Sequence, residues 1–216
     1  MQQEKFKISP ADASVQPIPT QSVEPVDPSE LDVVARVLAE SFFDNPFHLW
    51  AMPKAATRLE DATVFFKLAL RWMQRYSWDV LATADRSAVS VARLVRQGES
   101  GYPDGARYFP KLVGKISPVN AYFEWIETFR PKVEHVCLEY IGCLPEKRSK
   151  GLGSIVLRSM LAKADRQGLG VWAISTNQRN LTFYSRGGFE IGTVLRQDES
   201  TPPVTPIWHP PASLAD

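Results

Sequence analysis

The chain has 216 residues, 44% hydrophobic and 23% charged, an ordinary globular composition with enough apolar material for a substantial core. Its 25 Lys and Arg against 24 Asp and Glu leave a formal charge of +1, without the basic excess of a general nucleic-acid binder. No run approaches the roughly 18 apolar residues of a membrane span, and no apolar stretch follows Lys5 and Lys7, so neither membrane nor secretory signal is read and the expected compartment is cytoplasmic.

Residues 1 to 21 are polar and dotted with Pro10, Pro17 and Pro19, and read as a mobile tail before a single domain over 22 to 216. Val23 to Val26 predicts a short strand. Asp27-Pro28-Ser29-Glu30 then opens a helix, with an Asp cap, a proline in the first turn and acid near the positive dipole end. Leu31, Val34, Leu38 and Phe42 follow at helical spacing, and Asn45-Pro46 breaks the helix. A second helix from about Ala55 to Tyr76 sets Leu59, Thr63, Phe66, Leu70 and Met73 on one face. The period then changes: Asp79 to Thr83 and Ser87 to Val95 read as strands joined by a turn. Gly98 to Gly105 reads as loop, and about Phe109 to Phe129 as a helical insert. Strand His135 to Leu144, helix Leu152 to Gln167, strand Val171 to Thr176 and helix Asn180 to Arg186 come next. Phe189 to Leu195 and Val204 to Trp208 are closing strands. This order predicts an α/β protein with a mixed central sheet flanked by helices.

Cys137 and Cys143 lie six residues apart on one expected strand. At about 3.3 Å per residue they are too far apart for a mutual disulfide. No histidine cluster accompanies them, so buried free thiols are expected and no metal.

The informative stretch is Gly142-Cys143-Leu144-Pro145-Glu146-Lys147-Arg148-Ser149-Lys150-Gly151-Leu152-Gly153-Ser154. An apolar strand ends at Pro145, a basic loop follows, and two alternate glycines open an apolar helix. Such a helix start has unpaired amides and a positive dipole end, glycines admit close approach to the backbone, and Arg148 and Lys150 add charge, so a diphosphate fits. Val156 stands where the dinucleotide fingerprint has its third glycine, and no phosphate-loop Gly-Lys-Ser or Gly-Lys-Thr occurs. What remains, Arg-x-x-Gly-x-Gly after an apolar strand, resembles the pyrophosphate loop of the GNAT N-acetyltransferases. Downstream, Ala173-Ile-Ser-Thr-Asn177-Gln-Arg-Asn180-Leu-Thr-Phe-Tyr184-Ser-Arg-Gly-Gly188-Phe189 is similar to the closing half of that core. The resemblance covers about Val133 to Leu195 closely and Val23 to Val95 loosely. Within the family, the Arg-Asn-Leu-x-Phe-Tyr string and the helical insert most resemble puromycin N-acetyltransferase-type members.

The resemblance implies the GNAT fold, a mixed sheet splayed in its middle, with acetyl-CoA as co-substrate. Its pantetheine would lie between the strand ending at Leu144 and Val171 to Thr176, bonded to main-chain groups near Cys143 and Leu144. Its diphosphate would sit on Arg148 to Ser154. Tyr184 would be the general acid for the departing thiolate, or else a core tyrosine on an amphipathic helix. Asn180 would bond the pantetheine, or else cap its helix. Some members carry a glutamate on the phosphate strand at the position of Cys137 here. Glu139, two residues on and on the same face, is the candidate base, or else a carboxylate satisfied by a neighbouring arginine. His135 is a lesser candidate. In this family the acceptor pocket comes from the first helices, which singles out Phe43, Phe47, His48 and Trp50; six Trp and eleven Phe overall suit an apolar or aromatic acceptor. The expected activity is acetyl transfer to a primary amine of a small molecule within a ternary complex, by a monomer or homodimer. The alternatives are a protein Lys or N-terminal acetyltransferase, and a non-catalytic acyl-CoA sensor.

Overall fold

Val23–Pro25 (β1) pairs antiparallel with Trp78–Thr83 (β2), β2 with Ala88–Val95 (β3), and β3 with His135–Cys143 (β4), in a computed structural model that describes residues 21–73, 78–99 and 116–212. β4 runs parallel to Val171–Ser175 (β5). The last two strands, Glu190–Ile191 (β6) and Thr205–His209 (β7), are antiparallel, and β7 lies between β5 and β6. The sheet is therefore mixed, as its element order predicts. The N-terminal tail apart from Gln21, the C-terminal end of the second expected helix at Tyr76, most of the 98–105 loop and the start of the insert lie outside the described residues.

Asp27 accepts a hydrogen bond from the Ser29 amide at 2.8 Å and opens a single 3-10 turn that leads into Leu31–Ser41 (α1). Asn45-Pro46 does more than break this helix. The Asn45 side chain accepts from the Phe47 amide at 2.9 Å with proline in the first turn, and so caps a new short helix, Pro46–Ala51 (α2). Ala55–Met73 (α3) follows, and Ile116–Glu127 (α4) is the described part of the insert. α1, α3 and α4 bury Val34, Leu38, Phe66, Leu70 and Tyr122 against Val89, Val91 and Cys137 on one face of the sheet. On the other face, Leu152–Arg166 (α5) and Leu181–Arg186 (α6) bury Leu157, Met160 and Tyr184 against Ala92, Leu138 and Ala173. Each fully buried large apolar side chain contributes about 1.5–3 kcal/mol, so the sheet is clamped from both sides. No described helix is long and apolar enough to cross a membrane.

Two departures from the expected elements matter. The run from Phe189 to Leu195 forms only the two-residue β6 and an isolated bridge from Leu195 to Val204; between them the Gly192 amide still donates to the Pro206 carbonyl at 2.9 Å, an approach so close that a Cβ there would lie 2.7 Å from that oxygen. The more consequential one is a bulge in β4. Val91 pairs with Tyr140 and Ala92 with Leu138, which leaves Glu139 as an extra residue. A bulge bends its strand, and here the bend opens the sheet. β4 pairs with β5 only at Val136–Val171 and Cys137–Trp172, and beyond that point the two strands part.

Candidate active site

The loop after β4 folds as its composition suggests. Pro145–Lys147 makes one 3-10 turn, Ser149 and Gly151 take positive φ of 61° and 78°, and α5 begins at Leu152. The left-handed backbone at Gly151 is what a Cβ-bearing residue adopts at a cost, and it turns successive amides to one side. The first helical bond runs from the Ile155 amide to the Gly151 carbonyl at 3.1 Å. Among the described residues the amides of Ser149 to Ser154 have no acceptor, which leaves a row of donors at the positive end of a helix. A Cβ at Gly153 would come no closer than 3.7 Å to the Phe183 ring, so internal packing does not demand glycine there, whereas an anion seated on the amides would. The residues fit a diphosphate. Leu152 is buried against Ala88 and Val156 and offers only its amide; Lys150 is exposed. Arg148 donates to the Ser41 carbonyl at 2.8 Å, so it also ties the loop to the end of α1.

At the opening between β4 and β5, the two amides singled out from the sequence have partners within the protein. The Leu144 amide donates back to Ser87 of the β3 side at 2.9 Å, and the Cys143 amide donates to Ser41 Oγ at 3.0 Å. Both are already used. Amides alternate in direction along an antiparallel strand, so with Leu144 facing β3, Cys143 and Ile141 face the opening. Ile141 is the one left there without a partner among the described residues. Gly142 makes the Ser41 contact possible, since a Cβ on it would lie 2.8 Å from Ser41 Oγ. Sequence reading missed Ile141 because the direction of an amide depends on register, which the bulge sets.

Tyr184 reaches this region from α6, on the α5 face of the sheet. It is 8% exposed, ringed by Phe183 and Phe189 at centroid distances of 5.1 and 5.6 Å, and burial pushes its phenol pKa up. Its hydroxyl nevertheless has no partner among the described residues and is not sealed off. A neutral hydroxyl with its proton unspent is what a proton donor needs. Asn180 is exposed and makes no capping bond; Asn177 takes that role, accepting from the Arg179 amide at 3.1 Å.

On the opposite face, a cavity of about 100 Å³ is lined by Phe47, His48, Tyr122, Glu139, Tyr140 and Trp172 among others. Because the bulge adds a residue, Glu139 and Tyr140 both line it, together with Cys137. One Glu139 oxygen accepts from Arg93 Nε at 2.8 Å, while the other has no partner among the described residues and is not enclosed. Arg93 and Glu139 are 3% and 7% exposed, so this is a buried ion pair holding one carboxylate oxygen toward open space. Cys137, where some family members carry a glutamate, is a buried thiol pushed up to about 12 by burial, so it is no base. Arg130 stacks over Trp172 at 4.4 Å and pairs with Glu127 at 2.6 Å, bracing the wall from behind.

The four aromatic and histidine positions picked from the first helices divide evenly. Phe47 and His48 line the cavity. Trp50 packs behind it on Tyr122 at 5.4 Å, and Phe43 lies under Arg58 at 5.0 Å. His135 sits at the far end of β4, where the strands still pair, with Nδ1 on the Val133 carbonyl at 2.7 Å; it does not line the cavity. Asn45, Tyr122, Tyr140, Trp172 and Thr176 line the cavity without having been singled out. The Asn45 cap was readable from Asn45-Pro46; the others are brought in by strand register and by the insert. The half-buried Cys143 is less enclosed than expected.

A splayed sheet with an amide-rich helix start at the mouth of the splay is the frame on which these residues are set. Residues 68–189, more than half of the chain, match the acetyltransferase (GNAT) family model, and the chain belongs to that family. Its fold is that of the histone acetyltransferase HPA2 and related acetyltransferase of Corynebacterium glutamicum, at a TM-score of 0.66 and 23% identity over 91% of this chain and 99% of that one. It is also that of arylalkylamine N-acetyltransferase 2 from Aedes aegypti, at 0.57 and 12% identity over 88% and 98%. An agmatine N-acetyltransferase aligns at 0.56 and 16% identity over 87% and 98%. A probable serine/threonine-protein kinase of Dictyostelium discoideum is 23% identical over 194 residues, covering 77% of this chain and 20% of that protein, so the chain spans about a fifth of that relative's length.

Proposed function

We propose that this protein is an acetyl-CoA-dependent N-acetyltransferase that acetylates the primary amine of a small molecule by direct transfer. The observation carrying this reading is that the parting of β4 and β5 lies between two different halves of a site. An amide-lined loop and the open Tyr184 hydroxyl are on one side, and a small aromatic cavity with a free Glu139 oxygen is on the other. Acetyl-CoA, when bound, supplies an activated acyl group and a stable thiolate leaving group. An alkylammonium has a pKa near 10 and needs a base before it can attack. Glu139 accepts that proton with the oxygen that Arg93 leaves free. The Ile141 amide offers a fixed donor for the negative charge that develops on the acyl oxygen. Tyr184 returns a proton to the departing sulfur. Neither cysteine suits an acyl carrier, because burial raises both thiols and disfavours the thiolate. The aromatic wall of the cavity favours an apolar body behind the amine. Names of fold neighbours that act on arylalkylamines and agmatine agree with an amine acceptor.

Thermal unfolding with and without millimolar acetyl-CoA tests the first half, since a ligand bound only by the folded state raises the midpoint. Release of free thiol on addition of a panel of primary amines tests the second. A folded protein with no shift and no thiol release refutes the reading. A shift without release under any amine points to an acyl-CoA sensor instead.

A further inference from the structure

We propose, resting on the acetyl-transfer reading above, that His48 is a specificity-determining residue that selects amines bearing a hydrogen-bond donor on the aromatic body remote from the reacting nitrogen. His48 Nδ1 lies 2.9 Å from the Phe42 carbonyl. A carbonyl can only accept, so Nδ1 carries the proton and Nε2 is left as a bare acceptor. That nitrogen has no partner among the described residues and is not enclosed, unlike Nε2 of His135, which is sealed in. The residue as a whole is 2% exposed, and the space its ring lines is the acceptor cavity. Phe42, Phe65 and Phe66 hold the ring edge-on at centroid distances of 5.6, 5.9 and 5.4 Å, so it cannot turn its lone pair elsewhere. Burial lowers its pKa to about 4, which keeps the imidazole neutral and the lone pair available near neutral pH.

A buried acceptor without a partner is unfavourable unless something donates to it, and a ligand that does so gains over one that does not. Everything else at hand agrees in kind. Phe47, Tyr122 and Trp172 wall a space for a small ring, and the open Glu139 oxygen serves the amine end. The occupant that satisfies both ends is an arylalkyl primary amine whose ring carries a hydroxyl or a ring N–H.

The test compares kcat/KM for phenethylamine, its para-hydroxy derivative and its para-methoxy derivative in the intact enzyme. The hydroxy compound should be preferred over both others by about tenfold or more, because only it donates a hydrogen bond. His48→Leu should collapse that ratio toward one, whereas His48→Gln, whose amide can both donate to Phe42 and accept from the ligand, should keep part of it. Equal constants for the hydroxy and methoxy compounds overturn the proposal even if the leucine variant fails to fold. So does a preference that persists undiminished in His48→Leu, which would assign recognition to another wall group such as Tyr140. Turnover of other amines with none of these three overturns the His48 assignment and leaves acetyl transfer standing. Failure to bind acetyl-CoA at all removes the underlying reading instead.

Discussion

The two sides of β4 are built by opposite means. On the loop side, the groups that would meet a ligand are main-chain amides of Ser149 to Ser154, aimed by two left-handed residues and one helix start, all within a single short stretch. On the cavity side they are side chains collected from α2, α3, α4, β4 and β5, held by a buried ion pair and a ring of aromatics. Backbone-built sites tolerate changes of side chain and are sensitive to backbone geometry; side-chain-built sites behave the other way. Ser41 joins the two, with its hydroxyl on the Cys143 amide and its carbonyl under Arg148.

The contrast is sharpest in a pair of substitutions. Gly151→Val places a branched residue at φ 78° and should disrupt the amide array, abolishing acetyl-CoA binding by calorimetry while the fold persists in circular dichroism. Glu139→Gln keeps a group that can still accept from Arg93 but cannot take a proton. It should leave acetyl-CoA affinity within about twofold and lower kcat by about 10²–10³. If the glutamine variant turns over normally, Glu139 serves only to neutralise Arg93.

Tyr184→Phe comes next in size. It retains the ring packed against Phe183 and Phe189 and removes only the open hydroxyl. Turnover should fall by about 10², the lower end for a general acid because a thiol of pKa about 8.5 is a fair leaving group, with acetyl-CoA affinity nearly constant. The defect should shrink with an acyl donor whose thiol is more acidic. A parent-like rate with the natural donor would make Tyr184 core alone.

The cavity side also carries a pH signature that the loop side lacks. His48 has a folded pKa of about 4 against about 6.5 when unfolded, so between those values the unfolded chain binds a proton that the folded one refuses. Stability is therefore intact above about pH 6.5 and declines as pH falls toward 4, by about 3 kcal/mol from this residue. His135, also lowered by burial, adds to the same slope. Urea unfolding from pH 7 to pH 4 should show the decline, and His48→Leu should flatten part of it. A slope unchanged in that variant would mean that His48 is not held neutral.

Legibility followed the same division. The loop could be read because glycine spacing, an apolar strand and a helix start are local features, and their chemistry lies in the backbone. The cavity could be read only in part. Phe47 and His48 follow a visible Asn-Pro junction, but Tyr122 arrives from a distant insert. The joint exposure of Glu139 and Tyr140 depends on a bulge that no alternation rule reveals. Strict alternation would have turned Tyr140 away from Glu139 and Cys137. The same bulge opens the sheet at Leu138, so one unpaired residue both parts the strands and aims the carboxylate.

The smallest expected effect belongs to Cys143, which lies between the two sides. Its amide is held by Ser41, and its half-buried side chain packs on Ala88, Leu152 and Val156. Burial raises the thiol above its ordinary range, so little thiolate is present near neutral pH. Cys143→Ala removes the sulfur and nothing of the backbone, so the hydrogen bond to Ser41 and the run of the strand survive. About 1 kcal/mol of packing should be lost, seen as a small drop in the unfolding midpoint. kcat/KM should stay within a few-fold, because no step of direct transfer uses the thiol. The contrary result has a definite meaning. A folded Cys143→Ala that binds acetyl-CoA but does not turn over would make the sulfur an acyl carrier. Intact mass of the parent enzyme with acetyl-CoA and no amine would then show an acetyl adduct that the alanine variant lacks.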